Sequence, residues 1–210
     1  MNDGYLEIQR QYLEKAWARP AGELERCIPA SYDGDRYYFD AFGGPCELFR
    51  GKILLSGREL SGAEGVLIAL YASRVPDLPL RLHPLKSFKE IPNSMPYQGA
   101  FTAHAERTLV PHVTSIRRHQ ERILFSFSGH PNRDAPSGDF SFTLYPLPKV
   151  PLYYIFHLPD EEFGAAATCL FASNAADFMP VDALADVAEI TAKVIIALIK
   201  GAAETGRGES

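Results

Sequence analysis

The sequence predicts an α+β fold, with an antiparallel or mixed sheet covered on one face by amphipathic helices. Two observations predict it. Apolar residues recur at helical spacing near both ends and in the middle of the chain, and the stretches 36–55 and 123–171 shorten that spacing to the alternation of strands. Glycine- and proline-rich turns separate the runs.

Tyr5, Ile8, Tyr12, Leu13, Ala16 and Trp17 recur every three to four residues with Glu7, Arg10, Glu14 and Lys15 between them, which describes a helix with one buried side. Pro20 ends it, and Leu24, Cys27 and Ile28 form the apolar side of a second, short helix. Tyr37 and Phe39, then Leu48, then Ile53 and Leu55 give two or three antiparallel strands, parted by Gly43-Gly44-Pro45 and Gly51-Lys52. Ser61-Gly62-Ala63-Glu64 matches a capping box, opening a helix with Val66, Leu67, Leu70 and Tyr71 as its buried stripe.

Residues 75–97 carry many turn formers among isolated apolar anchors, which predicts a long ordered loop, and such loops often bear function. The stretch 97–120 reads as helical, divided or kinked at Pro111. Ile123, Phe125 and Phe127 alternate with Leu124, Ser126 and Ser128, which predicts a strand. After a polar turn from Gly129 to Gly138, Phe140, Phe142 and Leu144 alternate again and complete a hairpin. Further strands are expected over 152–158 and 166–171. The last helix places Val181, Leu184, Val187, Ala188, Thr191, Val194, Ile195, Leu198 and Ile199 on one face, with Gly201 as its C-cap. The expectation is one α+β domain over 1–200 and a disordered tail over 201–210.

A hydrophobic fraction of 46% with 22% charged residues is that of a packed globular chain. The formal net charge of -5 argues against a nucleic-acid partner, because affinity for a phosphate backbone comes from an excess of Lys and Arg. The basic stretch Arg117-Arg118-His119-Gln120-Glu121-Arg122 includes an acid and reads as a solvated helix face. Cys27, Cys46 and Cys169 are odd in number and far apart, so neither a disulfide framework nor a C-x-x-C motif is expected. The amino-terminal residues form no signal segment and no apolar run spans a bilayer, which predicts a cytoplasmic chain without a membrane partner.

The segment Leu147-Pro148-Lys149-Val150-Pro151-Leu152 is followed by His157-Leu158-Pro159-Asp160-Glu161-Glu162-Phe163, Leu170-Phe171 and the helix start Pro180-Val181-Asp182-Ala183-Leu184. Together these resemble the carboxy-terminal signature of domain of unknown function 3786, and Leu70-Tyr71, Phe88 and Tyr97 resemble its central region. The similarity runs from about Trp17 to Lys200. The resemblance implies a bacterial or archaeal protein, often of strict anaerobes, some relatives carrying a four-cysteine iron–sulfur module before this domain. The three scattered cysteines do not reproduce that module.

Asp160, Glu161 and Glu162 are clustered carboxylates of the kind that bind a hard cation or perform acid–base chemistry, with His157 close in sequence. The alternative is a charged turn whose side chains splay while Phe163 enters the core. The spacing Pro148-x-x-Pro151 runs directly into a strand and reads as a rigid lead-in rather than a polyproline ligand. His104, His112 and His119 are eight and seven residues apart, too far to share a metal, and His83, His130 and His157 are isolated, so no metal set is expected. Cys169 lies in a run of small apolar residues and reads as a buried, unreactive thiol. No nucleophile elbow, P-loop, dinucleotide turn or H-E-x-x-H helix is present, and the sequence names no cofactor.

The functional expectation is therefore a noncatalytic ligand- or cofactor-binding accessory domain in anaerobic metabolism, its pocket near the 75–97 loop and the acidic turn. Asp160, Glu161, Glu162, His157, Phe88 and Tyr97 are the candidate ligand contacts. The alternatives are a hydrolase or lyase of unrecognised type using the three carboxylates, and a homo-oligomeric interaction protein, with a small molecule, a partner protein or a second copy as partner.

Overall fold

The computed structural model describes residues 3–132 and 138–205. The strands form two five-stranded antiparallel sheets rather than one. The first is a meander of β1 (Ser31–Tyr32), β2 (Tyr37–Ala41), β3 (Gly44–Leu48), β4 (Ile53–Leu55) and β5 (Arg58–Glu59). The second has the order β6 (Lys86–Ser87), β10 (Ala166–Phe171), β9 (Val150–His157), β8 (Phe140–Leu147) and β7 (His130–Pro131). Helices α1 (Asp3–Trp17), α2 (Glu23–Cys27), α3 (Ala63–Arg74), α4 (Gln98–Phe101), α5 (Val113–Arg118), α6 (Gln120–Ser126), α7 (Ala175–Phe178) and α8 (Val181–Thr205) complete an α+β fold. No described helix is long and apolar enough to cross a membrane.

The two sheets meet at the β2–β3 hairpin. Its two-residue turn, Phe42-Gly43, has φ of 45° and 82°, the left-handed conformation that matches the twist of paired strands. An aromatic residue seldom adopts that conformation. Burial compensates it, since Phe42 is enclosed and its N–H donates to the Pro146 carbonyl of β8 at 2.7 Å. A Cβ on Gly43 would stand 3.3 Å from the Phe127 ring, so this turn seats against the end of α6.

Strand alternation divides the residues of the second sheet between its faces. Phe140, Phe142, Tyr154 and Phe156 stack on one another with centroids 4.8–6.3 Å apart, and Phe171 joins Phe88 and Phe101, themselves stacked at 4.3 Å. The helices cover this aromatic face. Helix α8 is buried on more than its expected stripe, because Ala183, Ala185, Ile190 and Ala192 are enclosed along with Leu184, Val187, Ala188, Thr191, Ile195 and Ile199.

Several local expectations are corrected. Residues 123–126 belong to helix α6 and not to a strand: Ile123 and Phe127 are four apart, one helical turn, and both are buried, while Phe125 between them is 88% exposed. A spacing of four satisfies both the strand and the helix period, and the short strand β7 takes the place beside β8. Gly62, rather than Ser61, is the N-cap of α3, and the Glu64 carboxylate pairs with Arg58 at 3.3 Å. A capping box exists at Ser87 and Glu90. Helix α1 buries Gln9, Leu13 and Ala16 and leaves Tyr5 and Ile8 exposed.

At the carboxy terminus α8 runs through Gly201 to Thr205, so Gly201 is not a C-cap, and residues 206–210 of the expected tail lie outside the described residues. The expected polar turn from Gly129 to Gly138 includes 133–137, also outside them. The stretch expected to be helical is broken more finely than Pro111 alone requires, into α4, a π turn over Thr102–Glu106, a 3-10 stretch over Arg107–His112 that contains Pro111, and α5.

Candidate functional site

The second sheet has one face packed with aromatic rings and an opposite face on which its strand β8 carries hydroxyl-bearing side chains. In β8, Ser141, Thr143 and Tyr145 project opposite to Phe140, Phe142 and Leu144. Register places Ser141 beside Ile155 and Thr143 beside Tyr153 and His130. The 80–85 segment crosses this face. It is clamped there: the Ser173 N–H and hydroxyl donate to the Arg81 carbonyl at 3.0 and 2.9 Å, and Asn174 accepts from the Arg81 N–H at 2.9 Å while donating to the Pro79 carbonyl at 3.1 Å.

Under this segment lies a cavity of about 90 Å³. Leu82, His83 and Leu85 form its roof, and His130, Asn132, Thr143, Pro151, Tyr153 and Ala172 its floor and walls. The Asn132 carboxamide is oriented by the Thr143 hydroxyl, which donates to its Oδ1 at 3.0 Å. Its Nδ2 is buried without an acceptor among the described residues. A buried amide donor without a partner costs about 1–3 kcal/mol, so this nitrogen favours any oxygen delivered to it.

A second, more open cleft of about 310 Å³ is lined by Pro29, Asp40, Ser128, Tyr145 and Pro148. The Ser128 hydroxyl donates to Asp40 Oδ2 at 3.1 Å, joining residues 88 positions apart. Ser128 holds φ at 49°, where a residue other than glycine is uncommon. The Tyr145 hydroxyl lies 3.4 Å from His130 Nε2, so Tyr145 walls one cleft and touches the rim of the other. Burial raises its pKa and keeps the phenol neutral.

The residues singled out from sequence are not brought together. Asp160 is committed to its own turn, accepting from the Glu162 and Phe163 N–H groups at 2.9 and 2.6 Å. Those bonds, Phe163 first, hold its carboxyl below the usual range. Glu161, Glu162 and His157 are exposed, and Phe163 is 70% exposed rather than set into the core. Phe88 lies in the aromatic core, whereas Tyr97 is exposed in a 3-10 turn. None of the six lines either cleft. Among the described residues no three His, Cys, Asp or Glu side chains are grouped to hold a metal. All three cysteines are free and buried, and burial pushes the Cys46 thiol up to about 12 and Cys169 well above its ordinary value.

His83 and His130, isolated in sequence, face the covered cavity, and Asn132, Thr143, Tyr153, Asp40, Ser128 and Tyr145 carried no motif. One signal was present: the outward positions of β8 are Ser, Thr and Tyr while its inward ones are Phe, Phe and Leu. Hydroxyl-bearing residues at every second position of a strand that is buried almost throughout call for polar company on that face.

No curated protein and no solved structure matches the chain. A family model does, over residues 22–194, from just before α2 into α8. That span is well over half of the chain and contains both sheets and both clefts, while α1 precedes it. The chain belongs to the family described as domain of unknown function (DUF3786).

Proposed function

We propose that this chain is a noncatalytic binding domain that takes a small, largely apolar ligand bearing a hydrogen-bond-accepting oxygen into the cavity beneath the 80–85 segment. The observation that carries the reading is the Asn132 amide nitrogen, buried without an acceptor among the described residues and beside Leu82, Leu85 and Pro151. A mostly apolar pocket with a few convergent polar groups is the usual form of a small-molecule site. Its volume suits a group of a few heavy atoms or one end of a longer ligand. The clamped roof supports the reading further, since a preformed site spends less free energy on ordering when it binds. The 75–97 loop contributes this roof, and the Asp160 turn has no part in it.

The test is an amide-resolved NMR titration with acetate, acetamide and acetone, which present one carbonyl oxygen with different charge. Saturable shifts should gather at Leu82, His130, Asn132, Thr143 and Tyr153 and disappear in Asn132→Leu. Shifts scattered over the surface, or undiminished in Asn132→Leu, would overturn the proposal.

A further inference from the structure

The cleft at Asp40 has a different chemistry, and we infer that it is a recognition site for an organic ammonium group. This inference stands independently of the carbonyl site at Asn132. Asp40 is exposed on the outward face of β2, between the enclosed Phe39 and Ala41. Among the described residues its carboxylate forms no ion pair, and the Ser128 hydroxyl donates to its Oδ2. The nearest lysine in sequence to the cleft wall is engaged elsewhere: Lys149 Nζ donates to the Pro76 and Leu78 carbonyls at 3.3 and 3.0 Å. The cleft thus carries a negative charge that no described residue neutralises through an ion pair.

The surroundings suit an alkylammonium better than a hydrated metal ion. The lining holds one carboxylate, where a hard cation takes six or more oxygen ligands. Pro29 and Pro148 supply rigid apolar walls without an N–H, and Tyr145 adds an aromatic side chain, a group that attracts cations, to the lining. The cleft is fixed rather than adventitious. Phe42 docks on Pro146 one residue from Tyr145, the Tyr145 N–H donates to the Phe127 carbonyl at 3.2 Å, and Ser128 adopts an uncommon backbone conformation to meet Asp40. Three separate elements, β2, the end of α6 and β8, therefore converge on one carboxylate. The ammonium would donate to Asp40 Oδ1 while its alkyl chain lies against the prolines.

The experiment is an NMR titration of the full chain with n-butylammonium chloride, using n-butanol as the uncharged isostere. Saturable shifts are expected at the amides of Asp40, Ser128, Gly129 and Tyr145 with the ammonium, and binding about tenfold weaker or worse with the alcohol. Asp40→Asn, which keeps an acceptor for Ser128, should lose about tenfold in affinity for the ammonium with its melting temperature unchanged. As a second measurement on the unaltered chain, added sodium chloride should weaken the ammonium and not the alcohol, because only the charged pair is screened. Equal binding of the two probes, salt-independent binding, or undiminished affinity in Asp40→Asn would overturn the assignment. The carbonyl probes report on Asn132 alone, so failure at one cleft is distinguishable from failure at the other.

Discussion

Replacing Gly129 by alanine tests how tightly the site is built. Gly129 joins the end of α6 to β7, and its N–H donates to the Leu124 carbonyl at 2.8 Å. A Cβ there would stand 2.5 Å from the Thr143 carbonyl oxygen and 2.9 Å from Leu144 Cδ2, whereas ordinary contact begins at 3.4 Å. The obstructing atom is backbone of β8, a strand paired on both sides, so it cannot rotate away as a side chain would. The two-residue edge strand β7 must yield instead, by close to an ångström, carrying His130 away from Thr143 and Ser128 away from Asp40. Forcing an extra methyl into a filled space costs about 1–3 kcal/mol, and a backbone obstruction belongs at the upper end, about 2–3 kcal/mol. For a chain of this size that lowers the melting temperature by about 4–12 °C. Urea titration and thermal circular dichroism measure both quantities, with Gly164→Ala as the control because nothing lies within 4 Å of a Cβ there. A Gly129→Ala variant within about 0.5 kcal/mol of the parent would refute the close approach of β7 to β8 on which both clefts depend.

Two further perturbations follow from the same structure. Phe127→Ala should cost about 3–5 kcal/mol in urea unfolding because the ring is enclosed, and Phe125→Ala should stay within about 0.5 kcal/mol; comparable losses at the two positions would contradict the helical register of α6. Glu106 accepts from the Cys169 N–H at 3.1 Å, and burial raises its pKa despite the lowering effect of that bond and of Thr102. A carboxyl with a raised folded pKa binds more protons in the native state, so its contribution is complete below the unfolded value and is lost as pH rises through the folded one. Glu106→Gln, which retains an oxygen for Cys169, should therefore raise stability at neutral pH and flatten its decline across the carboxylate range; an unchanged slope in pH-dependent urea melts would dismiss Glu106 as its source.

Much of the secondary structure was legible in the sequence where one period dominated. The alternation in β8 and the long stripe of α8 are repeated often enough to outweigh local exceptions, and a sheet with helices on one side follows from them. The carboxy-terminal signature likewise identified the family before any fold was known. Legibility failed where two readings share a spacing or where long-range contact decides. Ile123 and Phe127 fit a strand and a helix equally well, and only packing of Phe127 against Gly43 and the placement of β7 beside β8 select the helix.

The candidate site was illegible for a related reason. Asp40 and Ser128 are 88 residues apart, and Leu82, Thr143 and Tyr153 come from one loop and two strands, so no spacing in the chain announces their meeting. The acidic run at Asp160, conspicuous in the sequence, is spent on hydrogen bonds to its own turn. Local chemistry, periodicity and family membership are written along the chain because they depend on neighbours within a few residues. The division into two sheets, the docking of the Phe42 turn and the two clefts were decided by tertiary structure, because each depends on strand pairing and packing between distant segments that local sequence does not encode.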